Sequence, residues 1–295
     1  MQRSTVVIAI ALVIFSLSAA SMRAQTLAAD LGKLAADNFA VLGATDVTNT
    51  GSTVLDGNLG VSPGSSITGF PPGIVNLPWG IDITNTAASN GQSDAKAAHV
   101  DLAGLPVTQT LTGQDLGGLT LKPGVYFYSS GAQLTGQLTL NFEDLNNQNI
   151  VFQIESLLNT ASASSVIIEG AGTNDNVYWE VDTATLGTTT AFVGNIIAQT
   201  SISLANGATI NCGSAIALTG AVTMIDNTIS TCGTGSSGGT GGTGGGVVNT
   251  TPEPGTFALL ATGILGMAGR SAAGSRRKES LQAMWMRRYE WHRFN

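Results

Sequence analysis

From Asn38 to Thr231 the chain is written in short apolar and polar alternations closed by Gly, Asn, Asp or Pro. Thr53-Val54-Leu55-Asp56-Gly57, Leu119-Thr120-Leu121-Lys122-Pro123-Gly124, Leu138-Thr139-Leu140 and Ile202-Ser203-Leu204 are examples. A period of two sends successive side chains to opposite faces, so each run predicts a short strand. Turn signals this frequent restrict the fold to an all-β sandwich, barrel or solenoid. Residues 86–103 break the pattern. There Ala88, Ala95, Ala98 and Leu102 line one face of a predicted helix, which Gly104 and Pro106 end. His99 falls inside that helix and reads as a surface or internally satisfied residue rather than a ligand or base.

An internal repeat chooses among the β architectures. Thr190-Ala191-Phe192-Val193-Gly194-Asn195-Ile196-Ile197-Ala198 places Thr, Gly, Ile and Ala on their counterparts in Thr209-Ile210-Asn211-Cys212-Gly213-Ser214-Ala215-Ile216-Ala217 at an offset of 19 residues, and the same step carries Thr209 onto Thr228. A unit of that length is one coil of a β-solenoid, where each coil buries its neighbour and equivalent side chains recur about 4.8 Å apart. In that register Thr190, Thr209 and Thr228 form one column; a chance echo in a low-diversity sequence is the competing reading. Cys212 and Cys232 lie 20 residues apart, close to one coil. In an exported chain a disulfide between adjacent coils is therefore expected, worth about 3 kcal/mol. Two buried, unpaired thiols are the alternative.

Composition narrows the chemistry. Charged residues make up 11% of the 295-residue chain, and His and Cys number two each. That leaves little from which to build a zinc finger or a His-based catalytic cluster, and no metal or cofactor is expected. Residues 30–250 hold three lysines, no arginine and sixteen acids, a balance that cannot neutralise a row of phosphates, so nucleic acid is excluded as a partner. Among the acids are Asp56, Asp115, Glu143, Asp144, Glu155, Glu169 and Glu180. A glycosidase needs two carboxylates facing one cleft, and nothing marks any of these as such a pair; no enzyme is expected. Calcium has no Gly-Gly-x-Gly-x-Asp repeat or EF-hand loop to bind.

The bases collect at the two ends. Arg3, the apolar run Val6 to Phe15 and the small residues Ser18-Ala19-Ala20-Ser21 and Ala24 form a secretory signal, giving residues 1–24 as the segment removed on export. A Gly/Thr/Ser linker at 233–250 has no side chains able to form a core and reads as a flexible tether. Residues 251–278 then present Pro252-Glu253-Pro254, an apolar run from Phe257 to Ala268, and Arg276-Arg277-Lys278, in an order that resembles the PEP-CTERM sorting tail of Gram-negative bacteria. The resemblance implies recognition by a membrane exosortase and a final place at the cell surface or outside the cell, after transient anchoring. Arg270 interrupts the apolar run and residues 279–295 extend beyond the usual end of such a tail, so a basic amphipathic helix on a membrane surface is the alternative.

The domain between these ends, residues 30–232, carries longer familiar strings. Asn38-Phe39-Ala40-Val41-Leu42-Gly43, Gly57-Asn58-Leu59-Gly60-Val61-Ser62-Pro63-Gly64, Leu116-Gly117-Gly118-Leu119-Thr120-Leu121-Lys122-Pro123-Gly124-Val125-Tyr126 and Asn176-Val177-Tyr178-Trp179-Glu180-Val181 resemble, in order, the microbial ice-binding-like family. That resemblance implies a right-handed discontinuous β-helix with one accessory α-helix, no catalysis, and adsorption to an ice crystal through a flat face rich in Thr, Ser and Asn.

Thr suits such a face because it offers a hydroxyl and a methyl with a restricted χ1. The family's loose Thr-(Ala/Gly)-x-(Thr/Asn) pattern falls on Thr50-Gly51-Ser52-Thr53, with weaker versions at Thr160-Ala161-Ser162-Ala163, Thr185-Leu186-Gly187-Thr188 and Asn206-Gly207-Ala208-Thr209. The candidate ice-contacting residues are therefore Thr50, Thr53, Thr160, Ser162, Thr185, Thr188, Thr190, Asn206, Thr209 and Thr228. The competing reading makes these residues ordinary β-formers on solvated faces, in a surface protein that is structural or adhesive and has an exopolysaccharide matrix as its partner.

Overall fold

The computed structural model describes residues 38–232. The signal segment, linker, sorting segment and terminal tail expected from the sequence lie outside these residues. Among the described residues every strand ladder is parallel, and the chain winds so that each coil lays one strand on each of three faces, A, B and C.

The chain begins inside the stack. β1 (Phe39–Gly43) lies on face A, β2 (Asp46–Thr50) on face B and β3 (Val54–Asp56) on face C; β4 (Asn58–Val61), β5 (Ser66–Thr68) and β6 (Ile74–Val75) repeat the order one coil further out, and β7 (Ile81–Ile83) follows on face A. Helix α1 (Thr86–Ala103) then runs against face A. After it come β8 (Gln109–Thr110), β9 (Thr120–Leu121), β10 (Gly124–Tyr128), β11 (Ala132–Leu134) and β12 (Gln137–Asn141). The longer strands β13 (Asn149–Thr160), β15 (Asn176–Leu186), β16 (Ala191–Leu204) and β17 (Thr209–Ala217) bend across corners, with β14 (Ser165–Glu169), β18 (Val222–Ile225) and β19 (Thr228–Ser230) completing the coils. β17, β18 and β19 finally pair with β1, β2 and β3.

This closure makes the solenoid discontinuous in sequence but continuous in hydrogen bonding. At the seam Val54 N–H donates to Asn227 O at 2.8 Å and Asp226 N–H to Thr50 O at 3.0 Å. Long-range pairing of this kind must wait for both ends of the domain, whereas every other coil pairs with its sequence neighbour.

Inward-facing positions build one core. On face A the inward column runs Tyr126, Phe152, Trp179, Ile196, Ala215, Val41 and Leu59 through successive registers. Phe152 and Trp179 stack with ring centroids 3.8 Å apart, Phe192 leans on Trp179 at 4.8 Å, and the indole N–H donates to Val193 O at 3.0 Å. Aromatic side chains thus fill one half of the core and smaller ones the half near the seam.

The outward side of face A is apolar too, and α1 covers it. The helix buries Ala88, Gly91, Ala95, Ala98 and Leu102 against Phe39, Leu42, Val151, Tyr178, Ile197 and Ile216. The Ala/Leu stripe and the limits of the helix agree with the sequence pattern; Gly91 was not foreseen. A Cβ there would come within 2.7 Å of the Phe39 ring, so glycine sets how closely the helix approaches the sheet. Asn85 caps the helix by accepting from Ala88 N–H at 2.9 Å, and Gln153 donates to Leu102 O at 2.7 Å at the other end.

Beneath α1, His99 Nε2 lies 3.0 Å from Glu180 Oε1. Burial pushes the Glu180 carboxyl up to about 7, with the Glu155 charge adding to it. Burial also holds the His99 imidazole below its ordinary value, against a hydrogen bond to the Val181 backbone and the Asp182 charge. His99 therefore belongs to the helix interface, where its Nε2 lies close to Glu180 without forming a well-directed hydrogen bond.

The 19-residue offset holds where Asn195–Ala198 lie on Ser214–Ala217 and where Thr209–Asn211 lie on Thr228–Ser230. It fails at the start of β16, where Ala191 pairs with Thr209 instead of Thr190. The cause is a bulge: between the Val193↔Asn211 and Asn195↔Ser214 pairs, the single Gly194 faces Cys212 and Gly213. Cys212 adopts φ 54° there and forms the disulfide with Cys232 across a Cα separation of 4.3 Å.

Candidate functional site

The ladders of face B run in one-to-one register from coil to coil, the bulges of β13 and β15 lying at its corner with face A. Its inward positions, among them Leu158, Ala184, Ile202, Val222 and Val47, are apolar and buried. Its outward positions alternate with these and form a column: Gln133, Asn159, Thr185, Ser203, Thr223, Thr48 and Thr68, each the direct register partner of the next. The column crosses the seam between Thr223 and Thr48 without a shift, so residues from the two ends of the domain sit side by side.

None of the seven carries a charge, and five bear a hydroxyl. Asn159 donates to Gln133 Oε1 at 2.8 Å, which fixes the amide end of the row, and Thr48 donates to Asp46 Oδ2 at 3.3 Å. A second outward column two residues earlier is less uniform: it contains Leu157, Thr183 and Ser201 on one side of the seam and Asp46 and Ser66 on the other. Parallel strands set neighbours about 4.8 Å apart across coils and about 6.6 Å apart along a strand, so face B sets one uniform polar column beside a mixed one on a two-dimensional lattice. The packed core beneath holds that lattice rigid.

Face C is patterned differently. Its first outward column reads Gln137, Ser165, Ala191, Thr209, Thr228, Val54 and Ile74, and its second includes Ile167, Val193, Asn211 and Asp56. Hydroxyls are interrupted by apolar and acidic groups, and β14 meets β16 at a single register pair.

The sequence-predicted residues divide among these places. Thr185 lies in the face B column. Thr209 and Thr228 are direct neighbours, as the repeat implied, but on face C. Thr190 does not join them; the bulge displaces it, and its side chain is 0% exposed. Thr53 and Thr160 are buried as well, at 0% and 3%. Thr50, Ser162, Thr188 and Asn206 are exposed, at or just before the turns between faces B and C.

The Thr-(Ala/Gly)-x-(Thr/Asn) pattern therefore marks a corner. Its inward hydroxyls satisfy turn amides: Gly187 N–H donates to Thr160 Oγ1 at 2.8 Å, Thr160 and Thr190 hydroxyls meet at 2.8 Å, and Thr190 donates to Ala161 O at 3.2 Å. Near the seam Thr53 donates to Asn49 Oδ1 and accepts from Asn227 N–H at 3.0 Å, while Asn227 donates to Ala205 O and Ala208 O, both at 2.9 Å. Gly51 at φ +86° is required at this corner, because a Cβ would fall 2.1 Å from Asp226 Oδ1, which accepts from Ser52 N–H at 2.6 Å.

Sequence reasoning missed Gln133, Asn159, Ser203, Thr223, Thr48 and Thr68. Their signal is the polar residue held between two apolar ones, as in Val222-Thr223-Met224, Ile202-Ser203-Leu204 and Ala184-Thr185-Leu186. Choosing among many such triplets needs the coil register, which the seam and the bulge conceal.

Three of the carboxylates weighed as catalytic groups have structural partners. Asp115 accepts from Gly117 N–H at 2.7 Å and Thr135 N–H at 2.9 Å, two hydrogen bonds that hold its carboxyl below its ordinary value against the opposing cost of burial. Asp56 accepts from Asn76 at 2.6 Å, and Glu143 pairs with Lys122.

Comparison with known proteins agrees with this geometry. The model of the ice-binding-like family matches residues 41–230, and that of the PEP-CTERM protein-sorting motif matches residues 250–278. An ice-binding protein of Nostoc sp. (strain HG1) is 50% identical over 225 residues, covering 76% of this chain and 81% of the relative. One from Colwellia sp is 32% identical over 71% of this chain and 86% of its own. Among solved structures, an ice binding protein from an Antarctic biological consortium superposes with a TM-score of 0.62 at 39% identity, covering 67% of this chain and 89% of that one. The ice-binding protein of the ascomycete Antarctomyces psychrotrophicus gives a TM-score of 0.62 at 36% identity, with 68% and 97% covered.

Proposed function

The chain belongs to the ice-binding-like family, and from that membership we propose that it is an exported, non-enzymatic protein that adsorbs to ice through face B. The observation that carries the choice of face is the uncharged polar column from Gln133 to Thr68, in unbroken register across seven coils. Ice adsorption requires an array that orders a shell of water in a fixed lattice. Charged or mobile side chains hold liquid-like hydration, whereas Thr and Ser on a rigid parallel ladder present hydroxyls and methyls at fixed spacing. The apolar and acidic interruptions of face C make it the poorer surface. Exosortase is the processing partner that the PEP-CTERM motif supports, with the cell surface as the destination.

The same motif favours a second reading independent of ice, in which the domain is a structural part of a surface matrix and binds exopolysaccharide. Thermal hysteresis, ice-crystal shaping and recrystallisation inhibition of the exported chain, measured against a globular control, separate the two. Activity at micromolar concentration is expected; none at high micromolar concentration leaves the matrix reading.

A further inference from the structure

Resting on the reading of face B as the ice-contacting surface, we propose that this domain is the head of a tethered adhesin, attached at the corner opposite that face so that a body held by its C-terminal segment is held to the crystal. A three-sided coil has three corners, and face B is bounded by only two of them. The third joins face C to face A, and both ends of the described chain meet there.

Asn38 immediately precedes β1 on face A, and its carbonyl accepts from Asn58 N–H at 2.8 Å. Thr231 follows β19 on face C and is fixed to the same turn: its N–H and hydroxyl both donate to Asp56 O, at 3.0 and 3.1 Å. Gly57 lies between them, where a Cβ would come within 2.8 Å of Thr231 Cγ2 and 2.9 Å of Ala40 N. Entry and exit are therefore side by side, on the seam coil inside the stack, and away from face B.

The disulfide belongs to this corner. Cys232 is the last described residue, and the bulge at Gly194 turns Cys212 toward it. A pull from the C-terminal side acts at Cys232. Without the bond it would peel β19, a three-residue strand, from its two neighbours. With it, the load passes to β17, which pairs along both faces C and A. Beyond Cys232, the fourteen residues 233–246 are Gly, Thr and Ser only.

The test uses the exported full chain on beads presented to an advancing ice front under flow. Three attachments are compared: biotin at the C-terminus, biotin at the N-terminus, and biotin on a non-natural side chain at position 223 in face B. The free chain is assayed in parallel for ice shaping. Beads attached at either terminus should be captured and those attached at position 223 should not. Shaping by the free chain together with equal capture from all three attachments, or from none, overturns the proposal while leaving the function of face B intact. No shaping by the free chain overturns the reading of face B itself. Reducing the wild-type disulfide, or the double variant Cys212→Ser and Cys232→Ser, should cost capture of C-terminally attached beads under flow and spare N-terminally attached ones. Equal behaviour from both ends overturns the load-bearing role.

Discussion

Faces B and C are built from the same alternation over the same core, and both carry threonine. On face B every coil contributes one small uncharged polar residue to a single column, whereas on face C Val54, Ile74 and Ile167 interrupt the hydroxyls and one ladder shrinks to a single pair. Threonine content therefore does not distinguish a lattice from a solvated sheet surface. The make-up of each column does, because both columns are continuous in register and one apolar side chain ends an array of like groups.

The severest way to break the contrast is to remove what the faces share. Trp179→Ala empties the stack between Phe152 and Phe192 and should cost about 3–5 kcal/mol, lowering Tm and abolishing ice activity together. Next comes the corner between them. Thr160→Val removes the side-chain acceptor of Gly187 N–H and one of the two partners of the Thr190 hydroxyl, costing about 1–3 kcal/mol of stability, while ice shaping by the folded fraction stays unchanged. Loss of shaping beyond the loss of folded protein would return the motif threonines to the ice surface.

The contrast itself is sharpened by a matched pair. Thr223→Tyr on face B should lower thermal hysteresis activity roughly tenfold, equivalent to about 1.4 kcal/mol, and Thr209→Tyr on face C should leave it unchanged, with native far-UV spectra for both. The reverse ranking would reassign the active face.

The smallest effect separates face B from the helix-covered face A. Glu180 titrates at about 7 in the fold against 4.5 ordinarily, so the folded state holds the extra proton; its contribution is complete below pH 4.5 and is lost as pH rises through about 7. The lowered His99, its charged form disfavoured by burial, acts in the opposite sense. Tm should therefore fall by about 2–4 °C between pH 5 and 8 and hold steadier in Glu180→Gln. Ice activity should stay flat over that range, since the face B column contains no titratable group.

Much of the domain was legible because it rests on local rules. Alternation between polar and apolar residues located the strands, the Ala88, Ala95, Ala98 and Leu102 stripe located α1, and a spacing near one coil paired Cys212 with Cys232. The candidate site was less legible. Thr185, Thr209 and Thr228 take outward positions, whereas Thr53, Thr160 and Thr190 point inward. A short motif of small and hydroxyl residues fits a tight corner as well as it fits an ice face, since both need compact groups that hydrogen-bond.

The sequence by itself determined that short strands would coil around an apolar interior, that one helix would lie on it, and that basic residues would be kept off the domain and gathered at the chain ends. Only the tertiary structure decided which polar residues share a column. Thr223 and Thr48 are partners because the last coil docks on the first, and Thr190 leaves its predicted row because Gly194 faces two residues. Both facts depend on pairing between coils. Hydrogen-bond geometry fixes that register across the stack, and no window along the chain contains it.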